Sequence, residues 1–160
     1  MRTLFEATRE KFGRLDVLFN NAGMNAPFLP LEEMPYEKWR EVIDINLNGV
    51  FYCLHGIIPM LKAQRSGAIV AFTSGLALTG WQGASAYAAS KAALIGMIKS
   101  AAYELKSYNV RANVLSPGVR ATPIFLDVST EAEREQYRQS IGIGEPDVHL
   151  LGGGDEQTVG

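Results

Sequence analysis

Ala68-Ile-Val-Ala-Phe-Thr-Ser-Gly75 is the stretch on which the fold turns. Its apolar run, Ala68 to Phe72, stops abruptly at Thr73-Ser74-Gly75, as a buried strand does where it enters a turn. Two other stretches have the same form. Leu15-Asp-Val-Leu-Phe19 breaks off at Asn20-Asn-Ala-Gly23, and Val110-Arg-Ala-Asn-Val-Leu115 is halted by Ser116-Pro117-Gly118. Helical patterns lie between them. Pro35 suits a first helical position, and Trp39, Ile43, Leu47 and Val50 follow at helical spacing. A helix is therefore expected over 35–64, with Gly49 and Pro59 as weak points. Others are expected over 84–107 and over 2–12, where Leu4, Phe5 and Phe12 form an apolar side and Gly13 a stop.

Strand, helix, strand, helix, strand is the alternation of βαβ units. It predicts an α/β fold with a doubly wound parallel sheet and flanking helices, successive strands lying side by side. Strands that are apolar almost throughout fit a sheet covered on both faces.

The chain has 160 residues, a size that suits one hydrophobic core. Hydrophobic side chains make up 47% and charged ones 20%, which excludes a disordered polar chain. Fifteen basic side chains against 17 acidic leave a net charge of −2. That balance argues against a nucleic-acid partner or an electrostatic membrane footprint. The opening Met-Arg-Thr-Leu-Phe-Glu-Ala-Thr-Arg-Glu has no apolar signal core. Residues 66–90 carry no charge, but Ser, Thr, Gly and Gln interrupt them too often for a membrane span. The single Cys53 allows no internal disulfide and fits a reducing, cytoplasmic setting. Its neighbours Tyr52 and Leu54 suggest packing. His55 and His149 lack Cys, Asp or Glu partners at ligand spacing, so no metal is expected.

In an open α/β sheet, ligands bind outside the carboxyl ends of the strands. Those ends are Asn20 to Gly23, Thr73 to Gly75 and Pro117-Gly118, and the helix over 84–107 begins near the same edge. Its first turns carry Tyr87 and Lys91, four residues apart and so on one face. The face continues as Leu94, Ile98, Ala102 and Leu105, which should pack on the sheet. A free tyrosine, with a pKa of about 10, is a poor acid–base catalyst. A lysine cation beside it favours the phenolate and brings it toward working pH. A hydroxyl such as that of Ser74 could hold a carbonyl oxygen or alkoxide in line. The implied chemistry is proton exchange at oxygen coupled to a second event at carbon.

Tyr87-Ala-Ala-Ser-Lys91, with Ser74 upstream, resembles the active-site signature of the short-chain dehydrogenase/reductase family. Asn20-Asn-Ala-Gly23, Asn46-Leu-Asn-Gly49, and Pro117-Gly118 with Thr122 resemble further motifs of that family in the right order. The resemblance covers about 1–125 and implies a partial Rossmann-like sheet, its strands equivalent to the fourth to sixth of the family fold. It implies an oxidoreductase interconverting a secondary alcohol and a ketone with NAD or NADP. Tyr87 would exchange the proton with substrate oxygen. Lys91 would lower the Tyr87 pKa and bind the nicotinamide ribose, and Ser74 would position the carbonyl. Asn46 would hold a relay water. Asn20, Ala22, Gly23, Pro117, Gly118, Val119 and Thr122 would line the cofactor along with Tyr87 and Lys91. The helices 35–64 and 84–107 resemble those that pair subunits, so a homo-oligomer is implied.

Taken singly, these residues have ordinary explanations: turn asparagines, a loop serine, a core-edge tyrosine and a snorkelling lysine. All but Asn46 fall together at one edge of the inferred sheet, which chance does not explain. Trp81 and Phe125 are candidates for lining a substrate pocket. The family's glycine-rich cofactor turn has no counterpart, and Gly142, Gly144 and Gly152-Gly-Gly154 do not lie between a strand and a helix. The resemblance thus implies a catalytic region over 1–128, lacking the front of the family fold. Over 129–160 it implies a substrate-loop helix and a flexible tail with no final strand. Both outer strands would then present apolar edges. The position that selects NAD or NADP is among the missing parts. A non-catalytic fragment acting by association, and an epimerase or dehydratase on the same scaffold, are the alternative functions.

Overall fold

The computed structural model describes residues 2–117, 130, 132, 148–152 and 157–159. Helix α1 (Arg2–Phe12) leads into strand β1 (Val17–Asn20). Helices α2 (Tyr36–Ile43) and α3 (Gly49–Gln64) follow, joined without a break through a π-helical turn over Asp44–Asn48. Then come β2 (Gly67–Phe72), the short α4 (Leu76–Thr79), α5 (Ser85–Leu105) and β3 (Val110–Ser116). The helix expected over 35–64 is thus continuous. Pro59 lies inside α3 without ending it, and the region of Gly49 carries the π turn instead of a break.

The first three strands pair side by side and in parallel. Val17 to Asn20 face Ala68 to Ala71, and Gly67 to Phe72 face Val110 to Leu115. Their carboxyl ends are therefore level. At the opposite end, Gln64 ties α3 to the entrance of β1: its Oε1 accepts the Leu15 N–H at 3.1 Å and its Nε2 donates to the Leu15 carbonyl at 2.8 Å.

The expectation of a sheet covered on both faces does not hold among the described residues. Right-handed crossovers from β1 to β2 and from β2 to β3 advance in the same direction, so both helices land on the same face. Val50, Leu54, Ile57 and Leu61 of α3 and Leu94, Ile98, Ala101 and Leu105 of α5 share one core with Ile69, Ala71, Ala112 and Val114 of the sheet. The opposite face carries Val17 and Phe19, 47% and 62% exposed. On α1, Phe5 alone of the expected apolar side is buried. It presses on Gly56, where a Cβ would stand 2.7 Å from its ring, while Leu4 and Phe12 are exposed.

The helical stretch Tyr36–Gln64 is long and apolar enough, by length and composition alone, to cross a membrane. Four of its apolar residues, however, are buried in the core against the sheet. The uncharged residues 66–90 form β2, α4 and the start of α5.

Strands are also present where a flexible tail with no final strand is expected. β4 (Val148–Gly152) runs antiparallel to β3, Asn113 facing Gly152 and Ser116 facing His149, and β5 (Gln157–Val159) pairs antiparallel with β4. The apolar run Val148-His-Leu-Leu151 is short and followed by glycines, so its local signal is weak. Its strand character comes from a long-range pairing. β1 remains an outer strand of the described sheet, while β3 does not.

Candidate active site

Lys91 lies in the second turn of α5 over the end of β2 and is only 4% exposed. Its Nζ donates to the Phe72 carbonyl at 2.9 Å, and Thr73 Oγ1 donates to the Lys91 carbonyl at 2.7 Å. Strand and helix thus exchange reciprocal bonds. Loss of water around the ammonium pushes the Lys91 pKa down from 10.5 to about 8. Tyr87 sits one turn earlier on the same face, with Lys91 Nζ 5.7 Å from its ring centre.

Ser74 follows β2 at the point where the chain bends into α4. Its Oγ accepts the Leu76 N–H at 3.3 Å, a local turn bond typical of serine. Its hydroxyl hydrogen has no acceptor among the described residues, so it can be offered to a bound carbonyl. Beside it, Phe28, Trp81 and Tyr87 pack on Leu76 and Ala84. Gly83 makes this packing possible: at φ +78° it lies against the 28–29 backbone, where a Cβ would come 2.8 Å from Leu29 N.

Asn46 is the residue that the sequence leaves apart from the strand ends, and the structure brings it in. It sits in the π-helical turn with no exposure at all. Its Oδ1 accepts the Met24 N–H at 2.8 Å, and its Nδ2 donates to the Met24 carbonyl at 2.8 Å and to Ser90 Oγ at 3.0 Å. An asparagine competes with the backbone of an ordinary helix. Here the wider turn directs that capacity across to the loop after β1, in keeping with the frequent placement of such turns at functional sites.

Asn20, at the end of β1, is 7% exposed, and its Nδ2 is buried without a hydrogen-bond partner among the described residues. Gly23 faces Lys91 and Asn46 closely: a Cβ there would stand 3.2 Å from Lys91 Nζ and 3.3 Å from Asn46 Oδ1. Ala22 is exposed above it and Pro117 half-buried after β3. Gly118, Val119, Thr122 and Phe125, and the helix expected after 129, lie outside the described residues. Cys53 packs beside the core on α3, and burial pushes its thiol pKa up, which suits a packing residue.

Ser90, Thr73 and the Met24 backbone are the participants that sequence reasoning passes over. Ser90 lies within the Tyr87–Lys91 segment, and its position three residues after Tyr87 was the available signal. Thr73 directly precedes Ser74.

A family model described as short chain dehydrogenase matches residues 1–133. The chain belongs to the short-chain dehydrogenase family. Among curated members, it is 40% identical over 144 residues to a 3-oxoacyl-[acyl-carrier-protein] reductase FabG of Thermotoga maritima, covering 90% of this chain and 58% of that one. It is 37% identical over 147 residues to a cyclohexanol dehydrogenase of an Acinetobacter species, covering 92% and 58%. The chain thus spans less than two thirds of the length of these short-chain dehydrogenases. Among solved structures, NAD+-bound xylitol dehydrogenase matches with a TM-score of 0.74 and 30% identity, over 81% of this chain and 53% of that one. ElxO with NADP bound matches at 0.73 and 27%, over 89% and 54%.

Proposed function

We propose that the chain carries the catalytic part of an NAD(P)-dependent oxidoreductase that interconverts a secondary alcohol and a ketone. The observation that supports this most is the buried Lys91 one helical turn from Tyr87, together with a Ser74 hydroxyl just past the end of β2 whose proton is uncommitted among the described residues.

Asn20 Nδ2 is a buried donor with no partner among the described residues, and the side-chain-free surface of Gly23 adjoins the Lys91 ammonium. Both suit the acceptor-rich ribose and amide of a nicotinamide, so the residues present fit the group. Asn20, Ala22, Gly23, Tyr87, Lys91 and Pro117 would hold it, with Gly118, Val119 and Thr122 completing the lining. NAD and NADP are equally compatible with these residues. When bound, the nicotinamide supplies the hydride that reduces the carbonyl carbon. In that direction Ser74 donates a hydrogen bond to the carbonyl oxygen and holds it beside Tyr87. Tyr87 delivers the proton to the oxygen, and the resulting phenolate is stabilised by the Lys91 cation. Both amide hydrogens of Asn46 are spent on Met24 and Ser90, so a relay water at this residue would have to donate to one of its oxygens.

The substrate is a small alcohol or ketone, and the setting cytoplasmic. Exposed apolar side chains on both long helices, Ile45, Phe51 and Tyr52 on one and Tyr103 on the other, support a homo-oligomer built through 35–64 and 84–107.

A Tyr87→Phe variant is expected to lose carbonyl reduction by about 10²–10⁴-fold, the range for removal of a general acid, while its affinity for reduced nicotinamide, held also by the other lining residues, stays largely intact. Normal turnover in that variant overturns the proton-transfer role.

A non-catalytic fragment acting by association is the second reading, favoured by the exposed Val17 and Phe19 on the sheet. Titration of the 160-residue chain with reduced nicotinamide, followed by its fluorescence, separates the two. Saturable micromolar binding rules the second out.

A further inference from the structure

We propose that Ser90 is a positioning residue that locks the π-helical turn of Asn46 to the first turn of α5, so that Asn46, Tyr87 and Lys91 move as one body. The proposal rests on the reading of Tyr87 as proton donor.

Ser90 is completely buried. Its Oγ accepts a hydrogen bond from Asn46 Nδ2 at 3.0 Å and donates one to the Tyr87 carbonyl at 2.7 Å. A serine in a helix often back-bonds to a carbonyl of the preceding turn, and that bond alone would need no partner. The bond from Asn46 is different, because it joins residues 44 apart in sequence. It also has a cost attached to its removal. Asn46 is itself fully buried, so without the Ser90 hydroxyl one of its amide hydrogens would be left unsatisfied.

The bonds run in series: Met24 to Asn46, Asn46 to Ser90, Ser90 to Tyr87. They connect the loop after β1, the π turn and the first turns of α5. Lys91 is the next residue after Ser90 and is anchored in turn to Phe72 and Thr73. A helix position that only filled space would accept alanine with better helix propensity. The hydroxyl fits a different demand, that of setting where the Tyr87 backbone sits relative to Lys91 and Ser74.

The test compares the 160-residue chain with its Ser90→Ala, Asn46→Ala and double variants. Hydrogen exchange at the Met24 amide and the Asn46 side-chain amide, read by NMR, is expected to quicken about tenfold in Ser90→Ala, as loss of one hydrogen bond implies. The alkaline titration of Tyr87, isolated by difference from Tyr87→Phe, is expected to move to higher pH. With a ketone substrate, kcat should fall about tenfold while the affinity for reduced nicotinamide is unchanged, the same single-bond estimate applied to the reacting turn. In the Asn46→Ala background, Ser90→Ala should add little to the Tyr87 shift, because the lock is already open.

Unchanged exchange and Tyr87 titration in Ser90→Ala overturn the proposal, as does full additivity of the two substitutions. A wild-type chain that reduces no ketone defeats the proposed function instead. The exchange and titration readouts need no turnover, so the lock is judged separately.

Discussion

One face of the sheet carries Ile69, Ala71, Ala112 and Val114, none more than 3% exposed, whereas the other carries Val17 at 47% and Phe19 at 62%. All six are apolar, the covered four standing on β2 and β3 and the open pair on β1. Composition therefore does not explain the difference. The connections do: both crossovers among the described elements run the same way, and α3 and α5 cover one face together. The candidate site follows from this asymmetry. It lies at the carboxyl end of the sheet, where α5 and the π turn close over β1 and β2 and take water away from Lys91, Asn46 and Ser90.

The largest effect should come from the covered face. Leu94 is fully buried at the centre of the core between α5 and the sheet. Leu94→Ala is expected to cost about 2–5 kcal/mol, the transfer of the lost methyl groups plus the cavity left behind. Chemical denaturation would show it as a lower midpoint at unchanged slope. A loss below about 1 kcal/mol would mean that the covered face is not the tightly packed side.

Next in size is the cation that this cover buries. The Lys91 pKa falls from 10.5 to about 8 through desolvation, so between those values the unfolded chain holds more protons than the folded one. Stability should therefore rise as pH increases through that window, and below about pH 8 the full cost of the buried ammonium is present. At about 1.36 kcal/mol per pKa unit that cost is about 3 kcal/mol at most. Lys91→Met removes it but also leaves the Phe72 carbonyl without its donor, worth about 1 kcal/mol. The variant should be more stable than wild type at pH 7, with the advantage shrinking as pH approaches 10.5. Comparing the two chains at each pH cancels the contribution of the other titrating groups. A constant difference across the window would show that the ammonium is well solvated.

Legibility in the sequence followed the range of the interactions. The strands at 17–20, 67–72 and 110–116 were visible because an apolar run ended by Asn, Thr-Ser-Gly or Pro is a local signal. Tyr87 and Lys91 were visible because four residues in a helix fix a shared face. Asn46 was not placed, since its partner Met24 lies 22 residues away and the π turn shifts the helical register that a regular pattern assumes. Ser90 was passed over because an interior helical serine carries no distinctive pattern of its own. The covering of one face and not the other is a property of connection order, and no single strand records it. β4 escaped notice for a similar reason, since its strand character depends on pairing with β3.

The smallest expected effect is also the one that tests the comparison most directly. Phe19 stands on the open face, its ring 6.1 Å from that of Phe72. Phe19→Thr keeps a residue suited to strands and gives up an aromatic contact worth about 0.5–1.5 kcal/mol at the outside. Because the ring is mostly exposed already, a stability change within about 0.5 kcal/mol is expected. Self-association should fall, since an apolar face and a β1 edge left unpaired among the described residues invite pairing between copies. A loss of about 2 kcal/mol or more would instead match the removal of a buried aromatic, and would mean that Phe19 lies under a cover in solution. The concentration dependence of that loss then identifies the cover. A second copy makes the loss vary with protein concentration, whereas a segment of the same chain leaves it constant.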